Sequence, residues 1–224
     1  MFKRSAGIIV FIFSCLCVGA QQPETLAVRL YQQSMAGSQH LYNGSEFIPY
    51  RSVKDEHPYF LRDELIKGNI KYDGLWFEQV PMRFDIERNS LIIEYYYNTF
   101  LLELAQAKVD EFILEGKRFV NVRSATITGL NQGFYEVLYE GKSILYRAWS
   151  KTLHEQIVDN EIKRSYKSYE EYFVVLKGTA HKVSGTRGLS GLMEDRKKEV
   201  KAFLKADRNA SMSGLLGYYD SLNP

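Results

Sequence analysis

From residue 41 to about 184 the chain consists of short apolar and aromatic runs, separated again and again by some residue followed by glycine. That pattern reads strand, turn, strand. Asn43-Gly44 stands between Leu41-Tyr42 and the run Ser45 to Tyr50, and Asp73-Gly74 joins Asn69–Tyr72 to Leu75–Val80. Both dipeptides favour the left-handed turns that match strand twist. Glu115-Gly116, Glu140-Gly141 and Lys177-Gly178 repeat the signal more weakly. Successive glycines of these pairs lie 30, 42, 25 and 37 residues apart, so no fixed period exists. A meander is expected, and a propeller or solenoid is not.

Alternation within the runs shows how the sheet is used. Met82, Phe84 and Ile86 share one face and Arg83 and Asp85 the other, which predicts a strand with one wet side. Around Phe134–Tyr139 and Ile144–Trp149 both faces are apolar or aromatic, which predicts strands covered on both sides. Helical periodicity appears only at the end. Leu189, Leu192, Met193, Val200, Phe203 and Leu204 form one stripe, with Glu194 four residues before Lys198, over a helix ending near Asp207. A shorter helix follows, with Ser211 or Ser213 as N-cap and Leu215, Leu216, Tyr219 and Leu222 as its apolar face. A further short helix is expected over 23–35. The expected fold is α+β and predominantly β. It is a curved or partly closed antiparallel meander with two C-terminal amphipathic helices packed on it, at about 189–222.

The start of the chain is of another kind. Lys3 and Arg4 precede an apolar run from Ala6 to Val18, and Val18 and Ala20 supply small residues before a cut. Residues 1–20 read as a secretory signal peptide, with cleavage after Ala20; Ser14 before Cys15 is the one feature that suits a lipoprotein site at Cys15 or Cys17. Residues 21–224 then form a single domain. Removing Lys3 and Arg4 leaves 27 of the 29 basic residues against 27 acidic ones, a formal charge of zero. That balance lacks the basic footprint of nucleic-acid binding. Both cysteines leave with the signal, so disulfides, thiol nucleophiles and thiolate metal sites go with them. No later segment reaches 18 continuous apolar residues, so no transmembrane span is expected after cleavage.

Catalytic motifs mostly fail. His154-Glu155 begins like a zinc-protease helix, but Val158 stands where the second histidine belongs. His40, His57, His154 and His181 are each alone in their segments. Lys54-Asp55-Glu56-His57-Pro58 gathers two carboxylates and an imidazole, and reads foremost as a charged turn before a proline-led strand. The glycine-punctuated run Gly185–Gly191 could hold an anion beside Arg187, but lacks dinucleotide-loop spacing and the parallel strand context. No metal site and no cofactor is expected. Sixteen tyrosines are the compositional excess, and Tyr95, Tyr96 and Tyr97 on one strand are the candidate binding platform, with Arg187 as a further candidate.

Tyr72-Asp73-Gly74, Phe77-Glu78, Val80-Pro81 and Phe84-Asp85, followed by Gly133 to Leu138 and Gly141, resemble a group of uncharacterised exported proteins of Bacteroidota. The likeness covers most of residues 40–222. It implies a cell-envelope location, in the periplasm or at the outer-membrane surface, and a β-rich domain, with no activity or site residue to carry over. The expected function is non-enzymatic binding of an envelope protein, glycan or other ligand. An alternative is a carrier of lipid or another apolar molecule in a sheet lidded by the helices. A third is an envelope-polymer hydrolase using carboxylates such as Asp55, Glu56 or Asp85.

Overall fold

The computed structural model describes residues 41–49, 53, 56–95, 100–123 and 127–222. The residues read as a signal peptide and the helix expected over 23–35 lie outside the described residues. One antiparallel sheet dominates. Its strands are β1 (Gly44–Glu46), β2 (Ile66–Tyr72), β3 (Leu75–Asp85), β4 (Ser90–Glu94), β5 (Leu101–Leu104), β6 (Val109–Leu114), β7 (Lys117–Val122), β8 (Gly133–Glu140), β9 (Ile144–Val158), β10 (Glu161–Leu176) and β11 (Thr179–Val183). Their order in space is β1-β5-β4-β3-β2-β6-β7-β8-β9-β10-β11. From β6 onward the chain is a plain meander, as the turn spacing predicts.

The tight turns fall where left-handed backbone is available. Asp73-Gly74 (φ 54° and 80°), Glu115-Gly116 (50° and 72°) and Lys177-Gly178 (51° and 80°) all turn with positive φ at both residues. Two expected turns differ. Gly44 instead opens β1, paired with Leu104. Glu140-Gly141 turns without positive φ, and its glycine answers to crowding: a Cβ there would stand 2.5 Å from the Tyr139 hydroxyl and 2.7 Å from an Asp220 oxygen. Asp159-Asn160, at 54° and 61°, makes a left-handed hairpin turn with no glycine to announce it.

The sheet curls strongly. Four strand spacings separate β3 from β8, about 19 Å if flat, yet the Phe84 and Phe134 rings lie 5.8 Å apart. Register shifts at Gly68/Ile70, Lys71/Tyr72 and Val137/Tyr139 bend the ladders. The curl nearly closes, because just past β3 the Ile86 carbonyl accepts the Lys151 N–H of β9 at 3.2 Å. Phe60, Phe84, Phe112, Phe119 and Phe134 fill the interior, with Phe112 and Phe119 stacked at 4.8 Å. Asp85 is a correction to the wet face expected for β3. It is fully buried, and its Oδ1 accepts the Glu87 and Arg88 N–H groups at 3.0 and 2.9 Å, so its carboxylate caps the turn into β4.

The second core lies under helices α1 (Thr186–Gly191), α2 (Lys197–Ala206) and α3 (Met212–Leu222). Leu189, Met193, Val200, Leu215, Leu216 and Tyr219 pack onto Leu145, Val174 and Val183 of the sheet. Ser211 caps α3, its Oγ accepting the Gly214 N–H at 3.0 Å. The single long helix expected from 189 is broken. A 3-10 turn at Glu194–Arg196 separates α1 from α2, which leaves Leu192 36% exposed and the expected Glu194–Lys198 pair unmade among the described ion pairs. The opposite face of β8–β11 is covered by Ile127 and Leu130 of the loop after β7, where Thr128 bridges to Thr179.

Candidate binding surface

The expected binding residues are scattered. Tyr95 is half-buried against the first core, its ring stacked on Phe100 at 4.7 Å and edge-on to Tyr42 at 5.3 Å, which makes it packing material. Tyr96 and Tyr97 lie outside the described residues. Arg187 is exposed on the six-residue α1, where its carbonyl accepts the Ser190 hydroxyl at 2.8 Å. Of the carboxylates weighed for hydrolysis, Asp55 lies outside the described residues, Asp85 is the buried cap described above, and exposed Glu56 accepts the Tyr166 N–H. His154 sits on strand β9. Among the described residues, no group of His, Cys, Asp and Glu could hold a metal ion.

A feature the sequence reading overlooks is the β9–β10 hairpin. These strands have 15 and 16 residues, but β8 pairs only with Ile144–Arg147 and β11 only with Tyr172–Leu176. The remainder pairs strand to strand and leaves the sheet as a two-stranded arm. Its length was legible only as a long run of alternating polar and apolar residues without glycine, and no glycine marks its tip.

The arm is clamped at its root. Lys151 Nζ donates to the carbonyls of His57 and Tyr59 at 2.8 and 2.9 Å. Burial lowers its pKa, opposed by the charges of Glu56 and Asp85. Burial and the Lys151 charge likewise push His57 down. On β10, desolvation and the Glu87 carboxylate raise the Tyr166 phenol to about 12. Arg83 lies 4.5 Å over the Tyr59 ring and pairs with Asp63 at 2.7 Å.

Past this clamp the arm ends in apolar side chains. Ile157 is 79% exposed and Ile162 57%, and the two are direct cross-strand partners on one face. Val158, 36% exposed, points to the other face. Behind the isoleucines the Arg164–Glu155 ion pair closes at 2.6 Å. An isolated ribbon is marginal in water, so apolar side chains at its unsupported end gain little by folding.

Two other constellations explain themselves internally. Glu136, buried between the two cores, takes Arg147 through two nitrogens (2.8 and 2.9 Å), the Trp149 indole N–H (2.7 Å) and Lys117 (3.2 Å). Arg147 in turn lies 4.4 Å over the Trp149 ring, so a buried carboxylate is fully matched. A groove of about 580 Å³ between the β10–β11 turn and the helices is lined by Leu176, Thr179, His181, Leu192, Asp195 and Tyr219. There the Tyr219 hydroxyl donates to both Asp195 oxygens at 3.1 Å.

No known protein family matches the chain, and no curated protein and no solved structure matches it either.

Proposed function

We propose that the protein is an exported, non-enzymatic interaction domain of the bacterial cell envelope that docks a partner protein with the tip of the β9–β10 arm. The observation that carries this reading is the Ile157–Ile162 pair, 79% and 57% exposed at the end of an arm whose root is anchored. A mixed tip of this kind, with an apolar centre and an Arg164–Glu155 rim, has the layout of a small protein interface. The lidded-carrier reading has less support. The concave face of the curled half is filled by phenylalanines whose neighbouring rings lie 4.8 to 6.3 Å apart, and the helix-covered half by the packed side chains of the second core.

Export rests on the N-terminal charge and apolar run, and the intact mass of the secreted protein tests it: Gln21 is the expected first residue. A photo-crosslinking side chain at position 157 or 162 tests docking. One defined adduct from cells is expected at these positions and none at exposed Leu75 on the β2–β3 hairpin. The same adduct yield from a protein carrying Ile157→Asp and crosslinked through 162 would overturn the arm as the contact.

A further inference from the structure

Helix α2 carries its charge in an unbalanced way. At 100° per residue, Lys197, Lys201, Lys205 and Lys198 fall at about 0°, 40°, 80° and 100°, within little more than one quarter of the helix surface. All four are exposed, and none makes an ion pair among the described residues. The one acidic residue of the helix, Glu199, lies about 100° beyond that quarter.

This arrangement works against the helix. Lys197 with Lys201 and Lys201 with Lys205 are like charges four residues apart, which repel. Lys197 and Lys198 also occupy the first turn, where the helix dipole favours anions. Tertiary packing holds the helix in spite of this, through buried Val200 and through Phe203 stacked on Tyr218 at 4.5 Å. Without these four lysines residues 21–224 carry 23 basic against 27 acidic residues, so the stripe is a local concentration of positive charge on an otherwise net-negative chain, and its counterpart is an anion.

We propose that the lysine stripe of α2 docks the protein on an anionic lipid bilayer surface. Lysines are compact charges on flexible stems, suited to a mobile array of headgroups, whereas fixed planar anions are matched better by arginine forks. Four lysines on an amphipathic helix fall in the range that binds anionic membranes. The apolar face of α2 is committed to the protein core, so the contact is electrostatic and nothing inserts. The choice of a membrane over nucleic acid rests on the export reading. The vesicle measurement itself depends neither on export nor on the arm.

The test is co-sedimentation of the purified protein with phosphatidylcholine vesicles made with and without phosphatidylglycerol. Binding is expected only where phosphatidylglycerol is present, and release at about 1 M salt, where the screening length falls to about 3 Å. Each lysine near such a surface is worth roughly fivefold in affinity. Lys201→Gln with Lys205→Gln should therefore weaken binding roughly 30-fold, while Lys163→Gln with Lys167→Gln on β10 leaves it unchanged. Circular dichroism confirms that α2 remains folded. Undiminished binding by the α2 variant, no binding to phosphatidylglycerol vesicles, or equally tight binding of a DNA duplex at the same salt would each overturn the proposal.

Discussion

The two halves of the sheet hide their concave face by different means. Between β3 and β8 the sheet rolls until phenylalanines from distant strands meet, Phe84 touching Phe112 and Phe119 at 5.2 Å. From β8 to β11 it stays open, and α1, α2 and α3 supply the missing wall. The difference teaches that an antiparallel sheet with two apolar faces needs either curvature or a lid. The tip of the β9–β10 arm, past the Lys151 clamp, has neither.

The largest effect should come from removing the lid. Without residues 186–224 the sheet loses six buried partners, Leu189, Met193, Val200, Leu215, Leu216 and Tyr219. At roughly 1.5–3 kcal/mol each when fully buried, their sum reaches the whole stability of a typical domain. An aggregating or molten product is expected by size exclusion and near-ultraviolet circular dichroism. A monomer with a sharp melt would show that the open half needs no lid.

The rolled half is broken from within. Phe119→Ala removes a fully buried ring that touches Phe60, Phe84 and Phe112, and denaturant titration should show a loss of about 3–5 kcal/mol. A loss below 1 kcal/mol would mean that the rings do not hold the curl. Smaller again is Gly74→Val. A Cβ at Gly74 meets nothing within 4 Å, so only its φ of +80° resists, and about 1–3 kcal/mol is expected. An unchanged melting temperature would move the β2–β3 turn elsewhere.

The smallest effect concerns the clamp between the rolled half and the arm. The Tyr166 phenol ionises near pH 10 when unfolded and near 12 when folded. The folded state therefore holds a proton that the unfolded state has lost, so this contribution is full below pH 10 and disappears as pH rises through 12. Its size is reduced by the partial exposure of the ring. Tyr166→Phe should flatten the fall in stability over that window, and an identical fall in both proteins would deny Tyr166 a place in the clamp.

Sequence periodicity made the meander, the glycine turns at 74, 116 and 178 and the helical cover legible, because each depends on local spacing. Curl was less so. The alternation of Met82, Phe84 and Ile86 shows an inner face, but only register shifts spread over three ladders decide which strands it meets. Asp85 looked solvent-facing because alternation takes no account of a chain segment crossing the other face, where Tyr59 bridges to it. The arm escaped notice because Asp159-Asn160 turns left-handed without glycine. Tyr95 drew attention by its neighbours, although its own ring is spent on Phe100.

Hydrogen exchange on the intact protein tests the division into rolled, covered and free regions most directly. The amides of Phe112, Phe119 and Leu145 should exchange only through large-scale unfolding. Those of residues 155–163 should open locally and exchange faster by a factor on the order of 100 or more. Equal protection at the arm tip and in the two cores would contradict the account, since the tip would then be covered in the free protein and could not serve as its docking surface.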